Sequence, residues 1–216
     1  MIVSPPPLLT AGLLAAAVAL GAAVISAPTR GDLASYFPPE TFTTAVNCAA
    51  RGRTAPPPMD DFRAEWYGKI WRAADEPSLY LQAQDTSRPA RRTFRFTLIP
   101  TFDAPIVVRL DELPDGRMAM TAKRLSGQGG YEPGQLAGKI ERVLSPAETS
   151  TVLRVLKDSR IMTAPSGDCA VGLDGTQWIF EGVETGRVHF ADRWSPEDGP
   201  VHDVGATFLA LTGWGG

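Results

Sequence analysis

Cysteine and histidine are scarce in this chain. Two of each occur in 216 residues: Cys48, Cys169, His189 and His202. There is no C-x-x-C pair and no cysteine–histidine spacing of the kind that holds zinc, so a structural zinc site is not expected. No G-x-S-x-G nucleophile signature occurs. The glycine-rich stretch Ser126–Gly134, SGQGGYEPG, lacks the spacing of a phosphate-binding loop. It also does not lead directly into a helix, so it offers a phosphate no helix N-terminus. Positive charge is not in excess: the net charge is −3. A domain that grips nucleic acid through its phosphates carries a basic surplus, so no nucleic-acid partner is expected. The one local basic run, Arg88, Arg91, Arg92 and Arg95, reads as a solvated strand edge. No internal repeat is present, and no catalytic residue, metal or cofactor is predicted.

What the chain does contain begins with a long apolar run. Leu8–Ala27, LLTAGLLAAAVALGAAVISA, is 20 residues without a charge. A helix of that length spans ~30 Å, the thickness of a hydrocarbon core. Residues 1–27 therefore read as a signal anchor or a signal peptide, forming an N-terminal hydrophobic helix. Too little positive charge precedes the run, and the small-residue site at Ile25-Ser26-Ala27 is followed by Pro28, which favours an uncleaved anchor. The expected location is the cell envelope, with the rest of the chain in the periplasm. In an exported chain, two well-separated cysteines predict one disulfide, Cys48 to Cys169.

Residues 28–58 carry Pro28, Pro38, Pro39 and Pro56-Pro57-Pro58, and read as a proline-rich tether with one short helix around Glu40–Ala50. Residues 59–216 read as a single domain. Asp60 or Asp61 caps a helix to about Ala74, with Phe62, Trp66 and Ile70 recurring every four positions and Glu65–Lys69 as an i,i+4 pair. The period then falls to two. Phe94, Phe96 and Leu98 predict one strand, Ile106, Val108 and Leu110 a second, Met118, Met120 and Ala122 a third, and Leu136–Val143 a fourth. Ser145-Pro146-Ala147-Glu148 is a capping box that starts a helix to about Lys157. Trp178 and Phe180 share a strand, Glu184-Thr185-Gly186 turns the chain, and Val188 and Phe190 return. Pro200 opens a last helix with Val201, Val204, Phe208 and Leu211 as its apolar stripe. The prediction is an α+β fold: an antiparallel sheet of about six strands with about three helices on one face.

Two segments, GYEPGQLAGKIERVLSPAE and GLDGTQWIFEGVETGRVHFADRWSPEDGP, carry a resemblance. Over roughly residues 60–213 the chain resembles an uncharacterised family of bacterial, mostly proteobacterial, proteins. The resemblance implies no activity and carries over no functional residue.

The stretch His189–Asp203, HFADRWSPEDGPVHD, holds both histidines among four acidic residues, an arginine and a tryptophan. Strand alternation places His189, Ala191 and Arg193 on one face, the polar one, where Arg187 and Arg193 disfavour both metal binding and protonation of His189. A metal site needs His189 and His202 to converge with Asp192 or Asp198. The alternative is a strand-to-helix corner anchored by Trp194, with Arg193 paired to a carboxylate. The candidate binding residues are thus His189, Arg193, Trp194 and His202, with Tyr131 from the glycine-rich loop, which reads as a flexible border to a binding face. Two functions follow. One is a non-enzymatic envelope-associated binding or accessory protein that engages an envelope protein or small ligand through the open sheet face or the 126–134 loop. The other is an extracytoplasmic hydrolase using His189 or His202 with a nearby aspartate.

Overall fold

A computed structural model of the chain describes Met1 and residues 36–44, 46–48, 53–55, 57–85, 91–170 and 172–214. The apolar run 8–27 lies outside the described residues, and so does the hydrophobic helix expected there. No described helix is long and apolar enough to cross a membrane.

Six strands form one antiparallel sheet: β3 (Thr93–Pro100), β4 (Ile106–Glu112), β5 (Met118–Leu125), β6 (Leu136–Val143), β7 (Thr176–Glu184) and β8 (Arg187–Trp194). Their order is β6-β5-β4-β3-β7-β8, so β3 joins a four-strand meander to a two-strand hairpin. A separate small hairpin pairs β1 (Val46–Cys48) with β2 (Arg53–Ala55). The described helices are α1 (Glu40–Thr43), α2 (Asp61–Ala73), α3 (Leu79–Gln84), α4 (Pro146–Asp158) and α5 (Pro200–Ala210).

Local chemistry sets most boundaries. Asp60 caps α2 by accepting from the Arg63 N–H at 2.8 Å. At α4 both halves of the Ser145–Glu148 capping box form. The β7–β8 turn is two residues, Thr185 and Gly186, both with positive φ. That is the turn whose twist matches a right-handed hairpin.

Helices cover both faces of the sheet, not one. Phe94, Phe96, Val108, Leu110, Met120 and Phe180 point to a first face and pack with Val152, Leu156, Val201, Val204 and Phe208 of α4 and α5. Their strand alternates point to a second face, where Ile99, Val107, Leu125, Ile179 and Phe190 pack with Tyr67, Ile70 and Trp71 of α2. Phe37 joins this second core, its ring 5.1 Å from Trp71 and 5.9 Å from Phe190. The stretch expected to be a tether is therefore packed over Tyr36–Thr43, and its helix is only the four residues of α1. On α2 the inward set is Ala64, Tyr67, Gly68, Ile70 and Trp71, while Phe62 stands 71% exposed. Of the four-residue repeat Phe62, Trp66 and Ile70, Ile70 is buried, Trp66 half-buried and only Phe62 turned outward, because the buried face is centred on 64, 67 and 71.

The second face carries charge as well as apolar groups. Across four strand pairings one row reads Glu181, Arg95, Arg109, Thr121, Glu141. Arg95 is fully buried rather than at a solvated edge. Its guanidinium binds Glu181 at 2.6 Å and the Pro77 carbonyl at 2.6 Å, and lies 4.1 Å over the Trp71 ring. Above the row sits Glu76. Lys123 Nζ lies 2.8 Å from one of its carboxylate oxygens; Arg109 Nε at 3.2 Å and Arg95 at 3.6 Å lie by the other. These are ion pairs rather than aligned hydrogen bonds.

The end of α2 puts Glu76 there. The Asp75 N–H donates to Arg72 O and the Glu76 N–H to Trp71 O, a Schellman closure with Asp75 at φ 52° where glycine is usual. Lys123 also donates to the Asp75 carbonyl at 2.7 Å. The chain from 75 to 77 is thus held by cations from three strands.

Glu76→Gln keeps the volume and removes the charge. Three cations then lose their shared counterion in a buried site, so unfolding free energy should fall by about 3–5 kcal/mol. Denaturant unfolding with an unchanged m-value measures it. A loss below about 1 kcal/mol, the range of an exposed pair, would show that the cluster is effectively solvated.

Candidate functional site

The stretch 189–203 ends β8, turns, and starts α5. Trp194 is the last strand residue. Ser195 takes φ 42°, its N–H donating to Thr176 O at 2.8 Å and its Oγ accepting from the Thr176 N–H at 2.9 Å. Gly199, at φ 88°, precedes Pro200 at the first position of α5. The half-buried Trp194 indole lies over the 172–175 turn, where a Cβ on Gly172 would overlap it.

The two histidines do not converge on one another or on Asp192. His189 shares its face with Ala191, which is fully buried in the first core, so that side is not the solvated one. Its ring lies 6.5 Å from Phe180. Burial first, then the Arg193 and Arg187 charges, lower its pKa to about 4. His202 stacks on Trp178 at 5.6 Å and has Nδ1 3.3 Å from Asp203. His189 is the cross-strand partner of Gly182, four residues along β7 from Trp178. At ~3.4 Å per residue, the two histidines are anchored roughly 13 Å apart along the sheet. Asp192 points to the opposite face. Among the described residues no group of three or more His, Cys, Asp or Glu side chains is placed to hold a metal ion.

Asp192 instead forms a buried polar clamp. The Tyr67 hydroxyl donates to one carboxylate oxygen at 2.8 Å, and the Gln177 amide donates to the other. This ties α2 to β7 and β8. Burial pushes the Asp192 carboxyl up to about 6, against the lowering effects of the Tyr67 hydrogen bond and of Arg63 and Arg193. Arg193 runs along the outer edge of β8, donating to Pro165 O at 2.7 Å, with Asp168 at 3.7 Å.

Tyr131 lies elsewhere, on the 126–134 loop. The loop is a cross-bonded extension of the β5–β6 hairpin, with Gly127 N–H donating to Pro133 O and Gln128 N–H to Glu132 O, both at 2.9 Å. It is docked rather than free. Trp66 Nε1 donates to Gly129 O at 2.7 Å, Lys69 pairs with Glu132 at 2.7 Å, and the Gly129 and Gly130 N–H groups donate to Asp103 O and Thr101 O. A side chain on Gly129 would strike the Pro100 carbonyl, so this glycine serves close backbone approach rather than phosphate.

Two ring pairs flank the docked loop. Phe62 lies 6.1 Å from Trp66, Trp66 holds Gly129, and Tyr131 lies 6.2 Å from Phe102. Tyr131 is 60% and Phe102 52% exposed. The sequence reading singled out Tyr131 but missed Phe62 and Phe102, because three separate segments meet only in the fold. An apolar side chain at a turn between β3 and β4 was the available signal for Phe102.

Cys169 is disulfide-bonded. The chain's other cysteine, Cys48, ends β1, and Gly167 abuts the Val46 side chain of the same strand.

Two opposed pH dependences are expected. Asp192 has a folded-state pKa above its ordinary 3.8, so its contribution is fully present below about 4 and lost as pH rises to about 6. His189 has a folded-state pKa below its ordinary 6.5, so its contribution is present above 6.5 and lost as pH falls to about 4. Each is worth on the order of 3 kcal/mol, and between pH 4 and 6 they offset each other. Asp192→Asn should therefore gain stability as pH rises through this window, and His189→Gln should lose it. Thermal midpoints across pH 4–7 read both; parallel slopes in the two variants would refute the assignment. At the corner, Gly172→Ala should cost about 1–3 kcal/mol through collision with Trp194.

No family model matches this chain, and no curated protein matches it.

Proposed function

We propose that the chain is a non-enzymatic binding or accessory protein of the cell envelope, held at the membrane by residues 8–27, with its α+β domain in the periplasm. Its docking surface is formed by the aromatic pairs Phe62–Trp66 and Tyr131–Phe102, and its partner is another envelope protein. The carrying observation is that Phe62, Tyr131 and Phe102 are exposed yet carried on α2, on the hydrogen-bonded 126–134 loop and on the β3–β4 turn, with the half-buried Trp66 tied to Gly129 O. Exposed aromatic side chains on rigid supports are the usual anchors of a protein interface, because they bury much area at little entropic cost.

The extracytoplasmic location rests on the uncharged run in the sequence and on the disulfide at Cys169, which persists in oxidising compartments. The chain's membership in the bacterial family that it resembles rests on the two quoted motifs. The second sheet face is largely closed by α2 and α3, so the 126–134 loop, rather than an open sheet, is the binding element in this reading.

A photo-crosslinking residue at Tyr131 or Phe102 should give discrete protein adducts in intact cells, and one at Lys157 should not. Tyr131→Ser with Phe102→Ser should abolish adducts from Phe62 while changing stability by less than about 1 kcal/mol, as exposed positions do. Adducts that are absent, or equal at Lys157, would overturn the docking surface. Thiol labelling of the unreduced, denatured envelope fraction should find no free cysteine. Two labelled thiols would place the domain in a reducing compartment.

A further inference from the structure

The two edges of the sheet are treated differently. At β8 the outer edge is occupied: the Asp192 N–H donates to Ser166 O at 2.9 Å, and the Arg193 guanidinium spans to Pro165. At β6 it is not. Apart from the ladder to β5, no backbone group of residues 136–143 has a hydrogen-bond partner among the described residues. This edge strand is eight residues long, has no proline, and its one register shift lies at its start, opposite Arg124/Leu125. Proteins usually blunt such an edge, since it templates pairing with another strand.

We propose that β6 pairs antiparallel with β6 of a second copy of this chain, joining two six-stranded sheets into one of twelve strands about a two-fold axis at Ile140. Charge selects this register. A two-fold axis normal to the sheet keeps each residue on its own face, so it must pass through a residue rather than between two. Centred on Lys139 it sets lysine against lysine, and centred on Glu141 it sets glutamate against glutamate. Centred on Ile140 it sets Lys139 of each copy against Glu141 of the other, twice, with Ile140 facing its own counterpart. Within one chain Lys139 and Glu141 already lie 2.8 Å apart on the second face, exposed by 45% and 60%. Opposite charges directly across a strand pair stabilise it, and like charges destabilise it.

The first face fits the same register. Gly138 comes opposite the partner's Arg142, whose guanidinium Glu148 holds within its own copy at 2.7 and 3.0 Å, so no bulky side chain opposes it across the seam.

The test uses the full chain in detergent. Sedimentation should give a dimer in the micromolar range. Lys139→Glu and Glu141→Lys should each weaken association by about tenfold or more, since each sets like charges against one another twice. The double variant, with the charges exchanged, should restore the dimer, which general destabilisation would not do. Ile140→Cys should form a disulfide-linked dimer in the membrane, because residues directly opposite lie within bridging distance, whereas Ala119→Cys on the interior strand β5 should not. A monomer throughout that range overturns the proposal. So does a dimer indifferent to both single substitutions, or an edge occupied by a strand from a different protein.

Discussion

Glu76 is the constraint on which the second face of this protein depends. Helix α2 covers that face, and the face carries Arg95, Arg109 and Lys123 on three adjacent strands. Buried cations without a counterion oppose folding strongly. One carboxylate, delivered by the closure that ends α2, approaches all three. The helix is therefore positioned from its C-terminal end by electrostatics and along its length by packing of Tyr67, Ile70 and Trp71. Glu181 adds the second anion, and its carboxyl is pushed up by burial while Arg95 holds it down. A charged layer of this kind adds little net stability over an apolar one. What it fixes is register, since sliding α2 by one turn would remove Glu76 from the cations it serves.

The same layer explains what could be read from the sequence and what could not. Strands β3 to β8, the Ser145 capping box and the Thr185–Gly186 turn were legible because each is written in neighbouring residues. The covering of the second face was not. Alternation of Phe94 and Phe96 with Arg95 and Thr97 is the pattern of a strand with one wet side. Arg95 is nevertheless buried, because Glu181 lies opposite it and Glu76 above it, partners 86 and 19 positions away in the chain. The Trp71 indole likewise donates to Thr97 Oγ1, satisfying both groups in the interior. Polar residues that satisfy each other over such separations look like surface residues until the fold is known.

Helix α2 shows the same effect in reverse. Phe62 is apolar and in phase with Trp66, yet it points outward, and the ring that serves the core from the N-terminal side is Phe37. Nothing local distinguishes the two. Phe37 is drawn in because Tyr36–Thr43 lies beside α2, with the Ser78 hydroxyl donating to Tyr36 O and the Met59 N–H to Thr41 O. The proline-rich composition that reads as a tether is compatible with such packing, since an extended chain can lie along a helix without a ladder of its own.

The density of chemically capable residues in 189–203 has an architectural cause. Asp192 clamps α2 through Tyr67, Arg193 covers the β8 edge, Trp194 closes over Gly172, Ser195 exchanges hydrogen bonds with Thr176, and Gly199 and Pro200 begin α5. Asp192, Arg193 and Ser195 are engaged by their neighbours, while His189 is held neutral by burial and then by Arg193 and Arg187, its Nε2 without a hydrogen-bond partner among the described residues. Groups already committed in this way are poorly placed to take up a ligand. The exposed rings differ in this respect: Phe62 lies beside Trp66 and Tyr131 beside Phe102, and the Trp66–Gly129 bond links the loop that carries Tyr131 to the helix that carries Phe62. Their arrangement depends on the Trp66–Gly129 bond and the Lys69–Glu132 pair, which hold the loop against α2.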